Sequence, residues 1–175
     1  PLLLEGKGWL DERAMLEAEI QAGGQSPRVF TALNEVLVAR GATARVIYVE
    51  VSVDGQLLTT YKADGVIVAT ATGSTGYALA AGGPILYPLS RDFVIAPVMP
   101  HLSLRYPLVI AATSTVSLRL TTVHQATLSV DGHINLPLSS GDAVTVKLSP
   151  KTTRFLRIHP RARFYGSLEQ KLKGK

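Results

Sequence analysis

Short apolar runs rich in Val, Ile, Thr and Leu recur along the chain, and turn-forming residues separate them. From residue 28 onward the runs are RVFTALNEVLVARG, ARVIYVEVSVDGQLLTTYKADGVIVAT, DFVIAPVMP, PLVIAATSTVSLRL, QATLSVDGHINLPL and AVTVKLSP. Their lengths and intervals are typical of an all-β protein rather than of alternating strands and helices. We therefore expect a mainly β fold, a β-sandwich of many short strands with a few short helices.

The two ends of the chain carry different patterns. Residues 9–22, WLDERAMLEAEIQA, have helical propensity, but the side chains alternate with a period of two from Met15 to Ile20, as in a strand. The pattern alone leaves both structures open. At the other end, GSLEQKLK predicts a last helix at about residues 167–173.

Two Asp-Gly pairs lie between alternating segments, at Asp54-Gly55 and Asp131-Gly132. Asp-Gly is a strong signal for a tight turn between two antiparallel strands, because both residues tolerate the backbone conformation that such turns need. The sequence therefore predicts two hairpins. We interpret the two carboxylates as turn-forming groups rather than as acids or bases.

The length of 175 residues fits one domain, which we place at residues 1–175 with residues 167–175 as a helix or tail. The chain has no cysteine, which excludes disulfides and thiolate sites and is in keeping with a cytoplasmic location. It begins at Pro1 rather than at a methionine, so we expect it to be part of a longer protein.

The charge and hydropathy of the chain point away from two classes of partner. No run approaches the roughly 20 apolar residues that span a bilayer, so we expect no membrane partner. The net charge is +5, with much of the excess after Lys147, but no nucleic-acid-binding motif accompanies it. We therefore expect no nucleic-acid partner either.

The segment ATATGSTGYALAAGGP joins a buried strand to a short alanine-rich helix. At least one of Thr72, Ser74 and Thr75 is expected to cap the first free amides of that helix. Gly73 and Gly76 also permit close approach of a ligand to the backbone, as in the wall of a nucleotide pocket. The segment matches neither the P-loop nor the Rossmann fingerprint.

Two pairs of polar residues admit both a structural and a binding role. The amide of Asn34 suits the edge of a base and the carboxylate of Glu35 suits a ribose hydroxyl, yet both also suit a solvated strand edge. Lys62 and Asp64 fit either an ion pair at the start of a strand or a place beside a dinucleotide.

The four histidines show no metal-ligand spacing, and no Ser-His-Asp set is evident in the sequence. We therefore predict no metal site and no hydrolytic triad in this chain.

Three segments together resemble the C-terminal domain of ATP-dependent NAD kinases: ALNEV at 32–36, DGVIVATATGSTGYALAAGGP at 64–84 and VDGH at 130–133. The resemblance implies a β-sandwich that supplies most of an NAD site. It also implies transfer of the γ-phosphoryl group of ATP to the 2′-hydroxyl of the adenosine ribose of NAD, giving NADP. ATP and Mg²⁺ or another divalent metal would act in the full-length enzyme, which would be a homodimer or homotetramer.

The resemblance also implies roles for individual residues. Asn34 would contact the adenine, Glu35 would lie near the ribose, and Asp64 would face the nicotinamide. The remaining residues implied to contact the dinucleotide are two basic residues near the phosphates, the start of the short helix, a loop near the nicotinamide and a histidine after the V-D-G turn: Arg45, Lys62, Thr75, Gly76, Tyr77, Ala78, Leu79, Ala80, Met99, His101 and His133.

The chain departs from the family pattern at three positions of this loop. Ala71 and Gly76 stand where the family has proline and alanine, which loosens the loop. Ala80 replaces a serine, and losing one hydrogen bond to a ligand costs about 1 kcal/mol.

The G-G-D-G-T motif of the family's ATP-binding domain is absent, so we expect no catalytic residue in this chain and no activity from it alone. Two alternatives remain open. One is a non-catalytic NAD(P) sensor domain, and the other is a lipid kinase of the same superfamily.

Overall fold

The computed structural model describes residues 8–23, 26–43, 45–101, 104–158, 163–166 and 168–169. Strands predominate, and the helices are short. In chain order the elements are β1 (Trp9–Gln21), β2 (Arg28–Ala32), β3 (Glu35–Arg40), β4 (Ile47–Val53), β5 (Gln56–Ala63), β6 (Gly65–Ala69), a 3₁₀ turn (Gly73–Thr75), α1 (Tyr77–Ala80), β7 (Phe93–Val98), β8 (Leu108–Ile110), β9 (Thr115–Leu120), β10 (Ala126–Val130), β11 (Ile134–Leu138), β12 (Ala143–Arg157) and α2 (Arg163–Gly166).

The strands of the described residues form two six-stranded antiparallel sheets. One has the order β2-β1-β12-β9-β4-β5 and the other the order β11-β10-β3-β6-β7-β8. The main hydrophobic core contains side chains from both sheets, as in a β-sandwich. The predicted fold class is therefore confirmed.

The chain divides into two compact units. The central unit, Arg13–Thr153, contains the main core and every candidate site residue. The terminal unit, Pro1–Glu12 with Arg154–Lys175, contains ion pairs from Arg154 to Glu12 and from Arg157 to Asp11. The expectation of a single domain stays a prediction.

The segment at residues 9–22 folds as strand β1, not as a helix. Leu16, Ala18 and Ile20 are buried in the main core, so the period of two reflects one buried face. Partner strands outweigh the helical propensity of this segment because they satisfy its backbone while its apolar face is buried.

Strands β6 and β7 are buried on both faces. Val66 and Val68 belong to the main core, whereas Ile67 and Ala69 pack on the opposite side of the sheet with Ala78 of α1. The segment that follows β6 therefore covers the outer face of this sheet. This explains why β6 is a continuous apolar run rather than an alternating one.

Both predicted hairpins are present. Asp54 and Gly55 have φ angles of 50° and 78°, and Val53 pairs with Gln56 across the turn. Asp131 and Gly132 have φ angles of 48° and 72° between β10 and β11. These positive angles explain the use of Asp-Gly, since few other residues adopt them at low cost.

The predicted helix at 167–173 lies mostly outside the described residues, although Leu168 and Glu169 are helical. The described helix α2 precedes it. None of the helices in the described ranges is long and apolar enough to cross a membrane.

Tyr61 provides a test of the core. Its side chain is fully buried, and its hydroxyl has no hydrogen-bond partner among the described residues. Because an unsatisfied buried hydroxyl is costly, we expect Tyr61→Phe to raise the free energy of unfolding by about 1 kcal/mol. Urea unfolding would measure this, with the exposed Tyr48→Phe as a control that changes little. A loss of stability on replacing Tyr61 would show that its hydroxyl is satisfied.

Candidate functional site

The turn between β2 and β3 contains Asn34 and is held from one side by Asp131. The carboxylate of Asp131 accepts hydrogen bonds from the backbone N–H groups of Leu33, Asn34 and Glu35 at 2.7, 2.8 and 3.0 Å. The backbone N–H of Asp131 in turn donates to the carbonyl of Glu35 at 3.0 Å. The interpretation of Asp131 as a turn former is therefore incomplete, since its carboxylate also organises a distant loop.

Thr70 holds the same turn from the other side. Its hydroxyl donates to the carbonyl of Leu33 at 2.6 Å, and its backbone N–H donates to the carbonyl of Asn34 at 2.8 Å. The same hydroxyl accepts a hydrogen bond from the backbone N–H of Gly73 at 3.1 Å. Thr70 thus ties the end of β6 to the Asn34 turn and to the glycine loop.

Gly73 is required by close packing rather than by backbone conformation. A Cβ atom built on it would lie 2.2 Å from the carbonyl oxygen of Asn34 and 2.6 Å from its carbonyl carbon. No side chain fits at this distance, and the obstacle is backbone, which does not rotate away. The absence of a side chain at Gly73 therefore lets the loop rest directly on the Asn34 turn.

The prediction that Thr72, Ser74 or Thr75 caps the helix is wrong. Thr72 and Gly76 are the N-cap residues of the 3₁₀ turn and of α1, and neither makes a side-chain cap. The backbone N–H of Gly73 is bound instead by Thr70, a residue outside the predicted set.

The three hydroxyls bind other groups of the loop and its surroundings. Ser74 donates to the carbonyl of Ala71 at 2.7 Å and accepts from the N–H of Leu86 at 3.0 Å. Thr75 donates to the carbonyl of Thr72 at 3.3 Å, and the Thr72 hydroxyl accepts from Arg13 Nη1 at 3.2 Å. These bonds fix the loop to the rest of the central unit.

The start of α1 presents a mixed surface. Thr75, Gly76, Tyr77 and Ala80 are exposed, and Leu79 is partly exposed. The side chain of Ala78, by contrast, is fully buried in the second apolar cluster. Of the residues expected to line the adenosine pocket here, Ala78 has its side chain turned to packing, and the others have surface available to a ligand.

Asp64 pairs with Arg40 rather than with Lys62. Asp64 Oδ1 lies 3.2 Å from Arg40 Nε, because β3 pairs with β6 and brings the ends of these strands together. The Lys62 ammonium instead lies 5.9 Å from the centre of the Tyr48 ring. The ion pair between Lys62 and Asp64, one of the two roles that the sequence left open, is therefore not formed.

The loop after β7 lies beside Lys62. The backbone N–H of His101 donates to the carbonyl of Lys62 at 2.7 Å, and both Met99 and His101 are exposed. Met99 has a φ angle of 47°, which is uncommon for a residue with a side chain. Arg45 is also exposed, just before β4.

The predicted site residues thus form two groups. His133 is exposed, and its ring Nδ1 lies 3.3 Å from the carbonyl oxygen of Asp131, so it belongs with Asn34 and Glu35. Thr70 at one end of β6 and Asp64 at the other are about 20 Å apart, judged from the rise of an extended strand. Lys62, Met99 and His101 are therefore grouped at the end of β6 away from Asn34.

The ionised form of the Glu35 carboxyl group is disfavoured by its surroundings. Burial raises the pKa of Glu35 above its ordinary value of 4.5, and the negative charge of Asp131 raises this pKa further. Neither Asn34 nor Glu35 makes a side-chain hydrogen bond or ion pair with another described residue. Both side chains are therefore available to a ligand.

Residues 33–158 match the family model described as the ATP-NAD kinase C-terminal domain. This match covers more than two thirds of the chain, and the chain belongs to that family. The resemblance noted in the sequence is therefore confirmed.

Curated relatives support the same assignment. The NAD kinase of Dehalococcoides mccartyi (strain CBDB1) is 51% identical over 173 residues, covering 98% of this chain and 61% of the relative. The NAD kinase of Chloroflexus aurantiacus (strain ATCC 29366 / DSM 635 / J-10-fl) is 45% identical over 171 residues, covering 98% of this chain and 62% of the relative. The chain thus spans about three fifths of the length of these relatives.

Two solved structures share the fold. The crystal structure of yeast NADH kinase complexed with NADH matches with a TM-score of 0.88 and 27% identity, covering 99% of this chain and 51% of that one. The structure of an NAD kinase from Archaeoglobus fulgidus in complex with ATP matches with a TM-score of 0.74 and 27% identity, covering 93% and 61%.

Three residues of the site escaped the interpretation of the sequence: Asp131, Thr70 and Arg13. Asp131 and Thr70 lie in motifs described above, but a turn explained the presence of Asp131 and a strand end that of Thr70. The contact from Arg13 to Thr72 joins residues far apart in sequence, and no local pattern signals it.

Replacing Gly73 tests the close packing of the loop. Because a methyl group collides with the backbone of Asn34, we expect Gly73→Ala to lower the free energy of unfolding by at least about 2 kcal/mol. Gly76→Ala is the matched control, since its Cβ would meet only the carbonyl oxygen of Gly73, at 3.4 Å. Chemical denaturation measures both, and equal effects would contradict the contact.

The elevated pKa of Glu35 predicts a pH-dependent gain on its replacement. Above its ordinary pKa of 4.5 the unfolded chain loses this proton more readily than the folded chain, so the native carboxylate lowers stability as the pH rises. Glu35→Gln should therefore increase the free energy of unfolding at pH 7. Below pH 4.5 the gain should disappear, and a gain of the same size at both pH values would rule out this origin.

Proposed function

We propose that this chain is the NAD-binding and oligomerising domain of an NAD kinase. The parent enzyme transfers the γ-phosphoryl group of ATP to the 2′-hydroxyl of the adenosine ribose of NAD and so makes NADP. One observation carries the proposal: the backbone of the Asn34 turn is fully bonded, while the side chains of Asn34 and Glu35 have no partner among the described residues.

The adenosine half of NAD would bind at the Asn34 turn and at the start of α1. The Asn34 amide offers a donor and an acceptor to the adenine edge, and the Glu35 carboxylate accepts from a ribose hydroxyl. Tyr77 supplies an exposed aromatic ring, and Thr75 and Ala80 complete the wall. His133, next to Asp131, lies toward the rest of the dinucleotide.

The second group of residues supports an oligomer. Asp64, Lys62 and Met99 lie at the opposite end of β6 from the Asn34 turn, too far to share one adenosine pocket. We propose that in a homodimer or homotetramer this group, with Arg45 and His101, completes the nicotinamide and phosphate part of a neighbouring subunit's site. The described surface of Arg45 and His101 is accessible for such a role.

The phosphoryl donor binds elsewhere in the parent enzyme. Phosphoryl transfer needs a positioned donor, a metal ion and an oriented hydroxyl. Within the described residues, no group of three or more His, Asp or Glu side chains is placed to hold a metal ion. We propose that ATP, the metal and the catalytic Asp belong to a G-G-D-G-T domain, that this chain alone is inactive, and that the enzyme is cytoplasmic.

Isothermal titration of this chain with NAD and NADP tests the proposal. We expect both nucleotides to bind weakly, and Ala80→Ser to tighten NAD binding about fivefold, the equivalent of about 1 kcal/mol for a restored hydrogen bond. Ala111→Ser is the matched control, because it adds the same hydroxyl at an exposed position that is not among the predicted site residues. Its affinity should equal that of the unchanged chain.

Two results would contradict the proposal. One is a folded chain that binds neither nucleotide, and the other is an equal response of the Ala80 and Ala111 variants. In the same preparation, ATP, Mg²⁺ and NAD should yield no NADP. Turnover by the chain would show that the catalytic machinery lies within these residues.

A further inference from the structure

The backbone of Leu33, Asn34 and Glu35 has six polar groups, and two residues bind all of them. Asp131 accepts from the three N–H groups and donates to the carbonyl of Glu35. Thr70 donates to the carbonyls of Leu33 and Asn34, through its hydroxyl and its backbone N–H. The regular ladder between β3 and β6 begins only at Glu35, so this bend depends on Asp131 and Thr70.

The side chains of Asn34 and Glu35 are the groups that would face the ligand. Asn34 and Glu35 make no side-chain hydrogen bonds to the described residues. Their backbone alone therefore fixes the positions of their Cβ atoms. Small shifts of a ligand-contacting group weaken binding strongly, so a rigid backbone at this point has a direct effect on affinity. The two residues that hold the backbone therefore control the geometry of the site.

The chemistry at Asp131 exceeds what a turn requires. Asparagine adopts the same positive φ as aspartate and forms such turns equally well. Its amide, however, has one acceptor oxygen and an NH₂ group, and the NH₂ would face N–H donors instead of accepting from them. A carboxylate meets three N–H groups with two acceptor oxygens, in bonds that its charge strengthens.

The chemistry at Thr70 is equally specific. Its hydroxyl donates to the carbonyl of Leu33 and accepts from the N–H of Gly73, so both functions of one hydroxyl are used. The side chain is almost completely buried, at 2% exposure. Serine retains both bonds, whereas valine retains the shape and loses both.

We propose that Asp131 and Thr70 are positioning residues that hold Asn34 and Glu35 in place for the adenosine of NAD without needing to touch the dinucleotide. The ligand in this statement rests on the proposed function. The holding of the turn does not, because it follows from the hydrogen bonds of the chain itself. The two parts are therefore tested by separate readouts.

The test compares Asp131→Asn and Thr70→Val with matched controls in this chain. Asp54→Asn makes the same change in the other Asp-Gly hairpin turn, where the aspartate has a similar φ angle (50° against 48°) and its carboxylate accepts from the N–H of Thr115 instead. Thr121→Val removes a threonine hydroxyl that donates to the carbonyl of Tyr48. Thr70→Ser is the conservative variant that should restore function.

Two quantities are measured for each variant: amide hydrogen exchange at Leu33, Asn34 and Glu35, and NAD affinity by titration calorimetry. For Asp131→Asn we expect exchange at these amides to be at least tenfold faster and the Kd for NAD about tenfold weaker. Thr70→Val should behave similarly, and Thr70→Ser should lie within about threefold of the unchanged chain. Both controls should stay within about twofold.

The outcomes separate the two parts of the proposal. If Asp131→Asn matches Asp54→Asn in both readouts, Asp131 is only a turn residue and the inference is overturned. If Thr70→Ser binds NAD as weakly as Thr70→Val, the hydroxyl does not position the turn. If the unchanged chain binds no NAD, the proposed function fails, and the exchange rates alone decide whether these residues hold the turn. If Asp131→Asn does not fold, the Thr70 pair decides.

Discussion

Strand β6 has no exposed face, and its burial determines where the candidate site lies. Val66 and Val68 fill the main core, while Ile67 and Ala69 need cover on the other side of the sheet. The segment after β6 supplies that cover through Ala78, Ala81 and Leu86. The same segment therefore has to run across the sheet, and its exposed residues then come to lie beside the Asn34 turn.

Close packing and hydrogen bonds then fix the position of the glycine loop relative to the Asn34 turn. Gly73 lies directly against the backbone of Asn34, and Thr70 and Asp131 bind the turn from opposite sides. The cost of the arrangement falls on Glu35, whose carboxyl is partly buried and faces the charge of Asp131. Charged groups that are unfavourable for stability are common at functional sites.

Local sequence patterns predicted the features that depend on local physics. The Asp-Gly pairs predicted two hairpins, and the apolar run before the glycine loop predicted a buried strand. The period of two at Met15 to Ile20 indicated a strand but left a helix open. These follow from backbone conformation and from which side chains avoid water. Motif resemblance supplied the family, because the spacing of three segments is specific where any single segment is not.

What the sequence could not predict depends on contacts between distant positions. Asp131 and Asn34 are 97 residues apart, and Thr70 and Leu33 are 37 apart. Helix capping by Thr72, Ser74 or Thr75 was a reasonable local expectation, but nearby carbonyls and the N–H of Leu86 compete for these hydroxyls. Likewise, Asp64 binds Arg40 at the end of β3 rather than Lys62, which lies two residues before it in the chain. Pairing of β3 with β6 determines this last partner.

We propose that one surface, formed by the Asn34 turn and the start of α1, binds the adenosine of NAD. Titration of isotope-labelled chain with NAD, followed by NMR shifts of backbone and Asn side-chain amides, tests it most directly. We expect the largest shifts at the Asn34 side chain, at Glu35 and from Thr75 to Ala80. Shifts concentrated instead in the cleft between β2 and β11, lined by Arg28, Leu136 and Asp142, would contradict it.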